Sequence, residues 1–189
     1  ENGVVKTAHA YMYDALRRYL QVKNIKAQLV RKPDGSVRYS HVNDGILKQE
    51  AYSFCKVAFG LVDSKVVPQA VVKEFYGLMY DLINCVNKIR TLALDYEKDL
   101  IKIHELFDMK FGVQTVNDSL ALLKTLTDRF FLRGTVDFMG MLYIPAIRSE
   151  VHHNIHSPEI LIIDEVNDNT KLLERAYQII ARKSKQIIA

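Results

Sequence analysis

Arg148 and His153, in the run Arg148-Ser149-Glu150-Val151-His152-His153, are the side chains whose types and spacing come nearest to a reaction centre. A guanidinium can stabilise negative charge on a phosphorane-like transition state, and an imidazole can move a proton near neutral pH. The neighbouring histidines raise a second chemistry. His152 and His156 are four residues apart and Glu150 stands three before His153, a spacing that on a helix aims two or three ligands the same way. A second ligand set is missing, because His9, His41 and His104 stand alone with no Glu-x-x-His around them. The expectation is therefore no metal and no other cofactor, with the histidines solvated or packed. A third candidate, Ile160-Leu161-Ile162-Ile163-Asp164-Glu165, has the apolar strand and acidic pair of a Walker B segment. No Gly-x4-Gly-Lys-Ser/Thr loop accompanies it, so it reads as a buried run ending in a solvated turn.

Around Arg148 and His153 the chain resembles the HEPN superfamily of helical ribonucleases, whose motif is Arg, a polar residue (commonly Asn, Asp or His), three more residues and His. Ser149 occupies the polar position here. The resemblance covers the last quarter of the chain: an apolar segment, Phe138–Ile147, leads in, Ser157-Pro158-Glu159-Ile160 follows, and an amphipathic helix closes. It implies a metal-independent endoribonuclease in which two such motifs meet across a dimer, with Arg148 on phosphate and His153 in proton transfer.

Binding chemistry is concentrated at the other end. Arg17, Arg18, Lys23, Lys26, Arg31, Lys32 and Arg38 crowd together, opposed nearby only by Asp14 and Asp34, with Tyr11, Tyr13, Tyr19 and Tyr39 among them. Cations interleaved with aromatics suit phosphate contact and base stacking, as on single-strand binding surfaces. A solvated basic face is the plainer account of the same residues. A smaller group, Arg175, Arg182, Lys183 and Lys185, marks the last helix and would extend the patch if that helix folds against the first.

The elements that must position these groups are mainly helical. Over Gln69–Phe111, Val71, Val72, Phe75, Leu78, Met79, Leu82, Ile83, Val86, Ile89 and Ala93 recur at three- and four-residue steps, and Tyr96, Leu100, Ile103 and Phe107 continue the series. Unbroken, that helix would run about 60 Å, and a break near Thr91–Asp95 fits nearly as well. Val4–Val22 has the same period and predicts a first helix. Pro33-Asp34-Gly35 between Ile25–Val30 and Val37–Val42 predicts one β-hairpin. Asn43 or Asp44 is expected to cap a helix ending near Gly60, and Asn117 or Asp118 to open one over Ser119–Leu132 closed by Gly134. Gly134–Ile147 has no readable period, Ile160–Ile163 suits a buried strand or a short helix, and Leu172, Leu173, Ala176, Ile179 and Ile180 face a last helix.

The fold class is all-α, a helical bundle around a long central helix with one short hairpin near the N-terminus. One domain is expected over 1–189, with the basic helix and hairpin in 1–42 and the bundle in 43–189. The 189 residues, 49% apolar and 25% charged, give a core of ordinary size, and no apolar run reaches the ~20 residues of a bilayer span. No charged-then-apolar leader opens the chain, so Glu1 reads as a processed terminus or an expression boundary. Cys55 and Cys85 lie in apolar helical patterns without metal-like spacing, which points to buried thiols in a reducing, intracellular compartment or within a larger assembly. No nucleophile elbow, Cys-x-x-Cys pair, dinucleotide loop or His-Glu-x-x-His is present, so most familiar enzyme classes are disfavoured. Two functions remain: a non-catalytic interaction or assembly module, partnered by protein or by itself, whose basic N-terminal surface faces nucleic acid or an acidic partner; and the HEPN-type ribonuclease.

Overall fold

Thr7 starts the first helix: its hydroxyl accepts the Ala10 N–H at 3.2 Å and caps α1 (Ala8–Val22), which buries Ala8, Met12, Ala15, Leu16 and Leu20 along one stripe. The computed structural model describes residues 6–31, 37–162 and 170–188, so Val4 and Val5 of the expected first helix lie outside the described residues. After α1, β1 (Gln28–Arg31) pairs antiparallel with β2 (Val37–Ser40) in the register Gln28↔Ser40 to Arg31↔Val37. That is the expected hairpin, and its Pro33-Asp34-Gly35 turn lies outside the described residues.

α2 (Ile46–Ala58) follows a turn rather than a side-chain cap. Asn43 Oδ1 accepts the Gly45 N–H at 3.1 Å, while Asp44 Oδ1 reaches across to accept the Phe138 N–H at 3.2 Å. Neither residue caps α2 directly, because Asn43 is spent on the turn just before it and Asp44 on the distant Phe138 backbone.

The central stripe folds as expected along most of its length. A 3₁₀ turn at Gln69–Val71 leads into α3 (Val72–Thr91), about 30 Å long, then a bend, then α4 (Leu100–Phe111). Phe75, Met79, Leu82, Cys85, Val86 and Ile89 of α3 are buried, as are Ile103 and Phe107 of α4. The bend has a local cause. Ala93 takes a positive φ of 52°, Asp95 Oδ1 accepts the Glu97 N–H at 2.9 Å, and Asp99 Oδ2 accepts the Asp95 N–H at 2.8 Å. Short carboxylates thus offer the backbone an alternative to the helix ladder where the stripe would otherwise continue.

Gly112 alone joins α4 to α5 (Val113–Arg133), at φ 84° and ψ 145°, a region that only glycine occupies at low cost. α5 therefore begins six residues earlier than Ser119, and Asn117 and Asp118 sit inside it, Asp118 accepting a hydrogen bond from Gln114 at 2.8 Å on the outer face. The expected stop holds: Gly134 closes the helix in the left-handed conformation.

The unreadable segment is the most buried element. Every residue of α6 (Gly140–Ile147) is buried, including Pro145, so the helix has no polar face and packs against α1 and α7 (Lys171–Ala181). A 3₁₀ helix, Ser149–Asn154, continues from it. Thr170 caps α7, accepting the Leu173 N–H at 3.3 Å. Ile160–Ile162 forms β3, which pairs parallel with β4 (Gln186–Ile188), a second two-stranded pair beside the hairpin. At the start of the apolar run Ile160 is 54% exposed and Leu161 is only partly buried against the core; Ile163, Asp164 and Glu165 lie outside the described residues.

Most of the core is one cluster joining α1, α2, α3, α4, α5, α6 and α7, and a smaller one joins Leu16, Leu20, Phe130, Val136, Met141, Ile144 and Val151. Cys55 and Cys85 are buried thiols, and burial pushes Cys55 up to about 11 and Cys85 in the same direction. Among the described residues no helix is long and apolar enough to cross a membrane.

Candidate nucleic-acid interface

Because α1 buries one stripe, its opposite side carries Arg17, Arg18, Gln21 and Lys23 into solvent, with Lys26 exposed just beyond. None of these four cations forms an ion pair among the described residues. Lys23 lies over the Tyr19 ring at 5.9 Å. The register puts Arg31 and Arg38 at the far end of the hairpin, opposite Val37 and Val30, while Lys32 lies outside the described residues. The interleaved aromatics divide. Tyr39 is 77% exposed and suited to stacking, whereas Tyr13 and Tyr19 pack on the smaller core cluster, Tyr19 against Phe130 and Phe131. α7 packs against α1, as the extended patch requires, but Lys185 of the C-terminal basic group is paired with Glu159 at 2.9 Å.

Two α1 side chains seven residues apart, and so nearly on one line of the helix, hold down the segment after α6. Tyr11 Oη donates to the His156 carbonyl at 2.8 Å, and Arg18 Nη1 donates to the Asn154 carbonyl at 3.4 Å. Val151 and Ile155 are buried beneath. This fastening opens a groove of about 580 Å³ between α1 and the segment, lined by Arg18, Gln21, Val22 and the residues from His153 to Ser157. A second hollow of about 260 Å³, bounded by Lys6, Tyr11, Asp14, Arg18 and His156, adjoins it through Arg18 and His156. Asp14 there is ion-paired with Lys6.

Arg148 and His153 are placed in different surroundings. Arg148 donates through Nη1 to Glu97 Oε2 at 2.9 Å and through Nη2 to Tyr96 Oη, and its guanidinium lies 5.2 Å from the Tyr96 ring centre. The hydrogen bond to Glu97 holds the Arg148 proton above the ordinary arginine value, and the same bond pulls the Glu97 carboxyl down. Arg148 thus ties the end of α6 to the α3–α4 bend. His153 instead faces the α1 groove beside Arg18. The intervening 3₁₀ turn accounts for the separation: at about three residues per turn, five residues leave two side chains about 120° apart. His152 is structural, with Nε2 2.7 Å from the Pro145 carbonyl, which can only accept, so Nε2 carries the proton. Among the described residues no group of three or more His, Cys, Asp or Glu could hold a metal ion.

Sequence reasoning found Arg18 and His153 but not their meeting, and it missed Tyr11 as the fastener of residues 154–156. The signal for Tyr11 was present as the seven-residue step to Arg18, but the carbonyls they take carry no residue signature. Compared with known proteins, no family model, no curated protein and no solved structure matches this chain.

Proposed function

We propose that the protein is a non-catalytic helical interaction module that binds a polyanion, single-stranded nucleic acid foremost, through the exposed side of α1 and the groove beside it. The observation that carries this is the row of exposed cations Arg17, Arg18, Lys23 and Lys26, without ion pairs among the described residues, next to a groove whose lining includes Arg18, His153 and His156. Exposed Tyr39 on the following hairpin adds a stacking surface. The same module offers apolar side chains to a protein partner on α4, where Ile101 and Met109 stand in solvent. Four cations on single-stranded phosphates give a log–log salt slope of about −3, so affinity for a labelled 20-nucleotide RNA should fall about 50-fold between 50 and 200 mM NaCl. Charge reversal of Arg17, Arg18, Lys23 and Lys26 together should abolish binding. No binding by the parent at 50 mM salt, or equal binding by the variant, would refute the reading.

A metal-independent ribonuclease of HEPN type is the second reading, favoured by one observation: His153 is exposed on a cationic groove while its neighbour His152 is committed to Pro145. It requires Arg148 to exchange Glu97 for phosphate. Incubating RNA with the protein in EDTA tests it, and cleavage should vanish in His153→Ala and Arg148→Ala. Intact RNA in the parent reaction sinks it.

A further inference from the structure

Four of the six histidines are committed to the fold. The His9 ring stacks on Phe138 with centres 4.0 Å apart, His41 Nδ1 is 2.9 Å from the Gly134 carbonyl, His104 pairs with Asp108 at 2.8 Å, and His152 meets the Pro145 carbonyl. The rings of His153 and His156 make no hydrogen bond or ring contact among the described residues, and both line the groove that Arg18 lines. No carboxylate belongs to that lining; its other polar groups are the amides of Gln21 and Asn154 and the hydroxyl of Ser157. The backbone that presents the two imidazoles is held at both carbonyls by Tyr11 and Arg18, so they are placed before any ligand arrives.

Guanidinium, two imidazoles, amides and a hydroxyl, with no carboxylate, make a lining for an anion with several acceptor oxygens. We propose that this groove is a phosphate-binding site for the phosphodiester backbone of a single-stranded polynucleotide, in which Arg18 supplies a fixed charge and His153 and His156 supply charge that rises as the pH falls. The proposal rests on the polyanion-binding reading above and adds a position and a pH dependence to it. The charged groups around the imidazoles agree with this sign. From α1 and the two residues before it they are Arg18 and the Lys6–Asp14 pair, with the Tyr11 phenol spent on the His156 carbonyl. α6, the other helix packed on this segment, carries no charged side chain. Further along the chain, Glu159 is paired with Lys185. Glu150 of the 3₁₀ helix lies near Tyr19 and is the one neighbouring carboxylate outside an ion pair among the described residues.

The test is binding of a fluorescein-labelled oligouridylate 20-mer at 100 mM NaCl and at pH 6 and pH 8, read as the ratio of the two affinities. Two added phosphate contacts would raise affinity about 25-fold at this salt, so the parent should bind at least several-fold more tightly at pH 6 than at pH 8. In His153→Gln with His156→Gln the ratio should fall to about two or less, while Arg18→Gln should weaken binding at both pH values and keep the ratio. Each single histidine variant should give an intermediate ratio, which guards against a double variant that misfolds. An unchanged ratio in the double variant overturns the site while leaving the α1 reading in place. Failure of the parent to bind at either pH overturns both. Displacement of the oligomer by millimolar inorganic phosphate, at constant ionic strength and dependent on the same histidines, would reassign the groove to free phosphate and overturn the polynucleotide assignment.

Discussion

Asp137→Asn should be among the most destabilising isosteric changes in this protein. Asp137 stands just before α6 and works with both oxygens: Oδ2 accepts from Arg90 Nη1 at 2.6 Å and Oδ1 accepts the Gly140 N–H at 2.8 Å. Arg90, on α3, is 3% exposed, its guanidinium 5.8 Å from the Tyr143 ring centre. Among the described residues its Nε has no hydrogen-bond partner, and Arg90 lines a cavity of about 10 Å³, close to the size that holds one water. A carboxamide accepts on one atom only, so the substituted side chain must lose either the guanidinium or the Gly140 N–H, and in either case the buried charge of Arg90 is left uncompensated. Removing one partner of a buried pair costs about 3–5 kcal/mol. In a domain of this size a loss of about 4 kcal/mol lowers Tm by about 8–16 °C. Adding Arg90→Met removes the stranded charge and fills similar volume, so the double variant should recover at least about 1.5 kcal/mol relative to Asp137→Asn. The sequence contains no tryptophan, so urea melts are followed by far-ultraviolet circular dichroism and tyrosine fluorescence. A loss below about 1 kcal/mol in Asp137→Asn, or a coupling below about 0.5 kcal/mol in the cycle, would show that the pair is solvated in solution and refute the reasoning.

Three further perturbations test other parts of the structure. Leu82→Ala, at a fully buried α3 position, should cost about 2–5 kcal/mol in urea melts, and a change below about half a kcal/mol would remove α3 as the spine. Gly134→Ala should destabilise by at least about 1 kcal/mol in thermal melts, because φ is 66° and the added Cβ would lie 2.9 Å from both His41 Nδ1 and Ile25 Cγ2; a neutral outcome would mean the α5 terminus is looser than described. Glu97→Gln should flatten the acid limb of stability. Arg148 lowers the folded Glu97 pKa, so its contribution is present above the unfolded value near about 4.3 and is lost as the pH falls through the folded value. Melts between about pH 2.5 and 6 that superpose for the two proteins would contradict this.

How much of this was legible depended on whether a residue's partner leaves a mark in the sequence. Phe75, Leu82 and Ile89 were readable because a half-buried helix writes its burial as a period, while α6 was not, because a helix buried on every side has no period to read. The α3–α4 bend was seen as an option but not decided, since Asp95 and Asp99 hold it through backbone N–H groups that any residue offers. The same limit hid the start of α5: Asn117 and Asp118 looked like caps, and only the positive φ of Gly112 tells the real boundary. At the candidate site the spacing of Arg148 and His153 was visible, but Glu97, fifty-one residues away, decides where the guanidinium points, and the carbonyls of Asn154 and His156 decide where the imidazoles stand. The histidines of the proposed site are therefore recognised by elimination. Once Phe138, Gly134, Asp108 and Pro145 have claimed the other four, the two whose rings have no partner among the described residues lie on one groove with Arg18. That coincidence of placement is what favours the proposed site over a solvated basic face, and composition alone could not have pointed to it.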